Sequence, residues 1–67
     1  MIAPPDLALA RQILAALPQP TARRVAAATG ARGDRVARTL EGLISEGMVT
    51  IEGSAFRRTA LGDEVIG

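Results

Sequence analysis

The clearest pattern of apolar and polar positions lies between residues 33 and 46. Aliphatic side chains recur there every three or four residues and form one stripe along a helix: Val36, Leu40, Leu43 and Ile44. A second set, which carries two arginines among small side chains, recurs at the same spacing on another face: Arg35, Arg38, Thr39 and Gly42. The pattern predicts a helix over about residues 33–46, stopped by Gly47, with its aliphatic side in the core and its arginine-bearing side in solvent.

The same spacing predicts two earlier helices. The first begins after Asp6, an N-cap candidate, and ends before Pro18 and Pro20. Its apolar stripe consists of Leu7, Ala10, Ile13, Leu14 and Leu17. The second helix begins after Thr21, which is a favoured N-cap residue, and ends at Gly30, which suits the left-handed position after a helix. We expect its buried side to consist of Val25 with Ala22, Ala26 and Ala28.

The remaining residues predict a hairpin and a final short helix. Residues 48–51 are strand-like, residues 52–54 are a turn signal, and residues 55–58 form a return strand. Thr59 then caps the last helix. We therefore expect an α+β fold, mainly α, in one domain over residues 1–67, with a three-helix core, a short two-stranded hairpin and a short C-terminal helix.

Chain length limits the size of the core. A chain of 67 residues buries only about 60% of the surface that its unfolded form exposes, and Phe56 is the only aromatic residue. The core must therefore be small and aliphatic, with closely packed helices. We expect it to consist of Ile13, Leu14, Leu17, Val25, Val36, Leu40, Leu43 and Ile44, closed by Val49, Phe56 and Leu61.

Missing residue types exclude several kinds of chemistry. The chain has no Cys and no His, so disulfides and cysteine- or histidine-based metal sites and nucleophiles are excluded. Ser45 and Ser54 have no histidine partner, and no glycine-rich phosphate loop is present. We expect neither enzymatic activity nor a cofactor, metal or small-molecule substrate. The first apolar stretch is too short for a membrane span, so a cytoplasmic protein is expected.

Charge is distributed unevenly along the chain, although the net charge is only +1. Residues 11–38 contain six arginines and one aspartate, a local charge of +5. Residues 39–55 contain three glutamates and no basic residue, a local charge of −3. This separation favours a field concentrated on one side of the molecule, which suits a polyanionic partner.

The element order and the residues together resemble the winged helix-turn-helix family of DNA-binding domains, found in many small bacterial transcriptional regulators. The resemblance covers about residues 7–66. It is carried by the helix before the turn at residues 21–30, the inward positions Val36, Leu40 and Leu43, the exit into the wing at residues 43–49, and Phe56 with residues 59–62. Residues 13–58 also resemble, more weakly, the winged-helix tail of DNA-processing protein A, an accessory module.

Three features depart from the family pattern. Arg32 stands where the family often has a Ser or Asp cap, so the start of the recognition helix is either frayed or capped otherwise. Arg58 occupies a strand position that is usually apolar, and it is expected either to be exposed or to bury its stem with its head in water. The wing is very short, which disfavours a long reach into the minor groove.

The resemblance implies that the helix at residues 33–46 lies in the major groove of double-stranded DNA. Arg35, Arg38 and Thr39 are then the candidates for contact with bases, because an arginine fork pairs with two guanine acceptors and a threonine methyl can touch thymine. The candidates for phosphate contact are Arg23, Arg24, Arg32 and Arg57. The competing interpretation for Arg35 and Arg38 is a solvated helix face paired with Asp34 or Glu41.

A protein-interaction or adaptor module is the rival function, because winged helices also serve as parts of larger complexes. Ile2, Leu7 and Leu9 do not all fit one stripe of the first helix, so they could form a homodimer seam or a docking face. The low net charge and the absence of lysine favour this rival, and the local charge of +5 favours DNA.

Overall fold

The computed structural model describes residues 7–67, so the predicted N-cap Asp6 and the apolar Ile2 lie outside the described residues. Within them the fold is α+β and mainly helical, with a two-stranded antiparallel sheet. The elements in chain order are α1 (Leu7–Ala16), α2 (Ala22–Thr29), α3 (Gly33–Ser45), β1 (Val49–Glu52), β2 (Ala55–Arg58) and α4 (Ala60–Ile66). The elements and their order agree with the sequence prediction.

Local interactions at the predicted positions fix the ends of two helices. The Thr21 hydroxyl accepts a hydrogen bond from the amide of Arg24 (3.1 Å), which confirms the predicted N-cap of α2. Gly30 adopts the left-handed conformation (φ 73°), and its amide donates back to α2. Thr59 caps α4 in the same manner, since its hydroxyl accepts from the amide of Gly62 (3.2 Å).

The hydrophobic core joins all three N-terminal helices to the start of β1. Its buried members are Leu9, Ile13, Leu14, Leu17, Val25, Val36, Leu40, Leu43 and Val49. Phe56 is partly buried and packs against this cluster. The core prediction was wrong for Ile44 and Leu61, which are 36% and 45% exposed, and it left out Leu9. Ala28, expected on the buried side of α2, is exposed.

Helix phase explains these differences. Ile44 directly follows Leu43, so it is turned by about 100° from Leu43 and stands at the flank of the α3 stripe. Leu61 directly precedes Gly62, the buried residue of α4, and is turned outward by the same angle. Ala28 lies on the opposite flank of Val25 from the other two alanines. Periodicity gave the direction of the α2 and α3 stripes correctly but overestimated their width. The α1 stripe was wrong at its start, where Leu7 is 60% exposed and Leu9 is buried instead.

The hairpin presents alternate residues to the helices. In its register Val49 pairs with Arg58 and Ile51 pairs with Phe56. Because paired residues share a face and residues alternate along a strand, these four side chains point to the same side as the buried Val49. The apolar face of the hairpin therefore continues beyond the core through Ile51, which is 54% exposed.

Gln19 extends the sheet by a single residue pair. Its amide donates to the carbonyl of Phe56 (3.1 Å), and the amide of Phe56 donates to the carbonyl of Gln19 (2.8 Å). The pairing is confined to this one residue, with Pro18 and Pro20 on either side. The bridge places β2 between Gln19 and β1.

Arg58 connects three elements. Its Nη1 donates to the carbonyls of Leu14 (2.5 Å) and Leu17 (3.2 Å) at the end of α1, and its Nε pairs with the carboxylate of Asp63 in α4 (2.5 Å). Its side chain is 28% exposed. Arg58 was predicted either to be exposed or to keep its head in water, and both alternatives were incomplete. Its guanidinium is bound to protein groups and caps the C-terminal end of α1.

Gly62 allows α4 to pack closely against this arrangement. A Cβ atom at this position would overlap the carbonyl oxygen of Met48 and would lie 2.9 Å from Cγ of Arg58 and 3.3 Å from Cδ2 of Leu14. A side chain of any size would therefore push α4 away from the end of α1 and from the hairpin.

We expect Gly62→Ala to lower the free energy of unfolding by about 1–3 kcal/mol, because the added methyl meets a backbone carbonyl that cannot easily move. Gly42→Ala is the matched control. A Cβ at Gly42 meets nothing within 4 Å, so alanine should stabilise α3 by about 0.5–1 kcal/mol through its better helix propensity. Urea denaturation measures both, and equal effects of the two substitutions would contradict the close approach of α4.

Arg58→Met should lower the free energy of unfolding by about 1–3 kcal/mol, because it removes the side-chain donor to the carbonyls of Leu14 and Leu17 and to the Asp63 carboxylate. Arg57→Met, at the next position of the same strand but with an exposed side chain, should change it by less than about 0.5 kcal/mol. Thermal and urea denaturation compare the pair. If the two variants were equally stable, Arg58 would not hold α1 and α4 together.

Candidate nucleic-acid interface

The outward side of α3 is centred on Arg38. Val36, Leu40 and Leu43 face the core, and a rotation of about 100° per residue puts Arg38 on the opposite side of the helix. Its side chain is exposed and makes no ion pair with any of residues 7–67. Gly42 lies one turn further along on this side, with open space where a side chain would stand. A cation thus stands at the centre of the outward side, with open space one turn further along the helix.

Arg35 and Thr39 lie towards one flank of that face. Arg35 is exposed and is rotated by about 60° from Arg38. Thr39 lies further round, at the border with the core, and is half-buried. The structure thus brings Arg35 and Arg38 to one exposed surface, whereas Thr39 stands at its edge.

The other flank of α3 is acidic and apolar. Asp34 and Glu41 stand on this side, next to Ala37 and Ile44. The carboxylate of Asp34 lies 3.4 Å from Nε of Arg32, so the pairing of Asp34 with Arg38 that was considered from the sequence is not formed. A polyanion meets repulsion on the Asp34 and Glu41 side and attraction on the Arg35 and Arg38 side.

The first turn of α2 lies beside the middle of α3. Ala22 of that turn lines a groove together with Ala37 and Glu41 of α3. Arg23 and Arg24 follow Ala22 directly and are exposed, without ion pairs to the described residues. Two cations therefore flank α3 close to the positive end of the α2 dipole, where anions are favoured.

The turn between the two helices is held by Thr29 as well as by Gly30. The Thr29 hydroxyl donates to the carbonyl of Val25 (3.0 Å) and accepts from the amide of Ala31 (3.4 Å). From the sequence, only Gly30 was predicted to end α2. A threonine directly before the glycine is the signal that could have indicated this second role, because its hydroxyl can bond to nearby backbone groups.

Arg32 and Arg57 are exposed but paired. Arg32 pairs with Asp34, and Nε of Arg57 lies 3.6 Å from the Glu52 carboxylate across the hairpin. In each pair both side chains are more than half exposed, so solvent screens the interaction strongly. Each guanidinium can therefore exchange its carboxylate for a phosphate, although the neighbouring carboxylate lowers its attraction for the anion.

An apolar groove lies between α3, the hairpin and the first turn of α2, with a volume of about 250 Å³. It is lined by Ala22, Ala37, Leu40, Glu41, Ile44, Ile51 and Phe56. The groove was not predicted from the sequence, because Ile44 and Phe56 were expected in a closed core. The alternation of Val49 and Ile51 along β1 was the available signal that the apolar face of the hairpin extends past the core.

Residues 7–67 contain no cluster of three or more acidic side chains that could hold a metal ion. In the same residues no helix has both the length and the apolar character that crossing a membrane requires.

Arg32 supplies the N-cap of α3 in an extended conformation (φ −67°, ψ 143°), but its side chain makes no capping hydrogen bond. Arg32→Ser should therefore raise the free energy of unfolding by about 1 kcal/mol, since a serine oxygen can accept from an amide of the first turn. Thr21→Ala, which removes the existing cap of α2, should lower it by a similar amount, about 1 kcal/mol. Urea midpoints check both signs, and a destabilised Arg32→Ser variant would contradict the uncapped start of α3.

Comparison of the chain with models of protein families, with characterised proteins and with solved structures finds no significant match. Function is therefore inferred from the side chains that the fold brings together on and around α3.

Proposed function

We propose that the chain is a winged helix-turn-helix module that binds double-stranded DNA, with α3 in the major groove and the hairpin as a short wing. The order of the elements supports this assignment. The bridge between Gln19 and Phe56 also supports it, because it gives the β2 strand a neighbour on each side. A small transcriptional regulator is the protein class that this proposal implies.

The observation that carries the proposal is the position of Arg38. It stands opposite the buried stripe of α3, is exposed, and has no carboxylate partner among the described residues. Arginine can donate two parallel hydrogen bonds to O6 and N7 of guanine, the commonest specific contact in the major groove. Arg38 is thus the principal base-reading candidate, Arg35 the second, and Thr39 a contact at the edge.

Phosphate contacts are assigned to the cations around α3. Arg23 and Arg24 stand at the start of α2, Arg32 precedes α3, and Arg57 lies on the hairpin. Such contacts fix the orientation of a protein on the duplex without reading its sequence. The pairing of Arg32 and Arg57 with carboxylates makes Arg23 and Arg24 the stronger of these candidates.

The second candidate function is a protein-interaction or adaptor module, for example an accessory domain of a DNA-processing complex. The apolar groove beside α3 favours it, because Ile44 and Ile51 expose aliphatic surface there. This function would require no contact between Arg38 and DNA, so DNA binding by arginine variants distinguishes the two.

Four arginine–phosphate contacts per copy predict that the logarithm of the DNA affinity falls with the logarithm of the salt concentration at a slope of about −3 to −4. Arg23→Ala, Arg24→Ala or Arg57→Ala should each weaken binding equally on all sequences and reduce the slope by about one unit. Fluorescence anisotropy titrations on random duplex at several salt concentrations measure both quantities. A flat salt response would argue against the proposed function.

Arg38→Ala or Arg35→Ala should cost about 1–3 kcal/mol of binding free energy on a selected site and relax the preference for that site. Arg38→Lys is the matched control for charge. It keeps the cation but loses the planar fork, so it should retain affinity for random duplex while losing site preference. Folded Arg35→Ala and Arg38→Ala variants with unchanged affinity on both duplexes would exclude α3 as a recognition helix.

A further inference from the structure

We propose that the groove between α3 and the hairpin is a self-association site, which receives Leu7 and Arg11 from the α1 helix of a second copy of this chain. Two copies that exchange this contact about a two-fold axis form a closed dimer. None of the arginines assigned to DNA lines the groove, although Ala22, which does, directly precedes Arg23 and Arg24.

The groove has the properties of a socket for an aliphatic side chain. Ala37 and Ile44 of α3 form one wall, Ile51 and Phe56 of the hairpin form the other, and the buried Leu40 lies between them. Its volume is about 250 Å³. Apolar walls order water poorly, so an entering aliphatic group is favoured there.

The polar lining of the groove specifies the charge of its occupant. Glu41 is the only charged residue among those that line it, and its carboxylate makes no ion pair with residues 7–67. An occupant therefore needs an aliphatic side chain with a cation a few ångströms away. The negative charge of Glu41 also disfavours a phosphate in the groove.

The chain carries this combination on α1. Leu7 is 60% exposed, the highest value among the large hydrophobic residues of the described chain. Arg11 follows four residues later, so the two side chains are neighbours on one face of the helix. Arg11 is exposed and has no ion pair with the described residues. Leu7 and Arg11 thus match the apolar walls and the carboxylate of the groove.

The first test is the mass in solution as a function of concentration, measured by sedimentation equilibrium without DNA. The wild-type mass should rise from that of one chain towards that of two. Leu7→Asp and Ile51→Asp should each abolish the rise, and circular dichroism should show both variants folded, since both residues are exposed. A monomeric wild type at millimolar concentration, or a Leu7→Asp variant that dimerises like wild type, overturns the proposal.

A mixing experiment tests whether Leu7 of one copy enters the groove of the other. Leu7→Asp has an intact groove and no insertable leucine, whereas Ile51→Asp has the leucine and a damaged groove. Each variant alone should be monomeric, but an equimolar mixture should form heterodimers through the one contact that remains. A mixture that stays monomeric contradicts insertion of Leu7 into the groove.

Charge reversal tests the ion pair. Glu41→Arg and Arg11→Glu should each weaken dimerisation about tenfold, because like charges then meet at the groove. The double variant should regain most of the wild-type affinity, because the pair is restored with its charges exchanged. If the double variant loses as much dimer affinity as the two single variants added together, Arg11 does not face Glu41. Since these measurements contain no DNA, their failure is distinguishable from failure of the DNA-binding proposal.

Discussion

The arrangement of helices and hairpin depends on the guanidinium of Arg58. The last carbonyls of α1 have no partner within their helix, and Arg58 supplies donors to Leu14 and Leu17 while its Nε holds Asp63 of α4. A planar group with several fixed donors can serve two carbonyls and a carboxylate at once, which an ammonium cannot do in the same geometry. Because α1 is also part of the core, this single side chain fixes the hairpin and α4 against the helices.

Much of the fold followed from local sequence. Stripes at helical spacing and the capping residues Thr21, Gly30 and Thr59 predicted every element, because these signals act over a few residues. The errors concern which side chains are covered by neighbouring elements. Ile44 and Leu61 stand at the flanks of their helix stripes, and whether a flanking residue is buried depends on how far neighbouring elements extend over it, about which periodicity carries no information. The role of Arg58 was missed for the same reason, since its carbonyl partners lie 41 and 44 residues away.

The candidate site was likewise predicted only in part from the sequence. The outward direction of Arg38 was predictable, because Val36 and Leu40 set the phase of α3. The pairing of Arg57 with Glu52 and the groove beside α3 were not predicted, because they depend on strand register and on the position of the hairpin. The result is a helix with two unlike flanks, one basic and one apolar and acidic. Such a helix can engage a nucleic acid and a protein surface from different sides.

The single bridge between Gln19 and Phe56 has a consequence for the order of folding. Its two residues are separated by more than half of the chain, so closing it costs more chain entropy than any helix turn. During synthesis the three N-terminal helices emerge first, and the backbone groups of Gln19 remain hydrated until β2 follows. Docking of the hairpin onto Gln19 therefore requires the closure of a long loop, whereas each helix forms from neighbouring residues. Until the bridge forms, the backbone edge of β2 that Gln19 covers is unpaired.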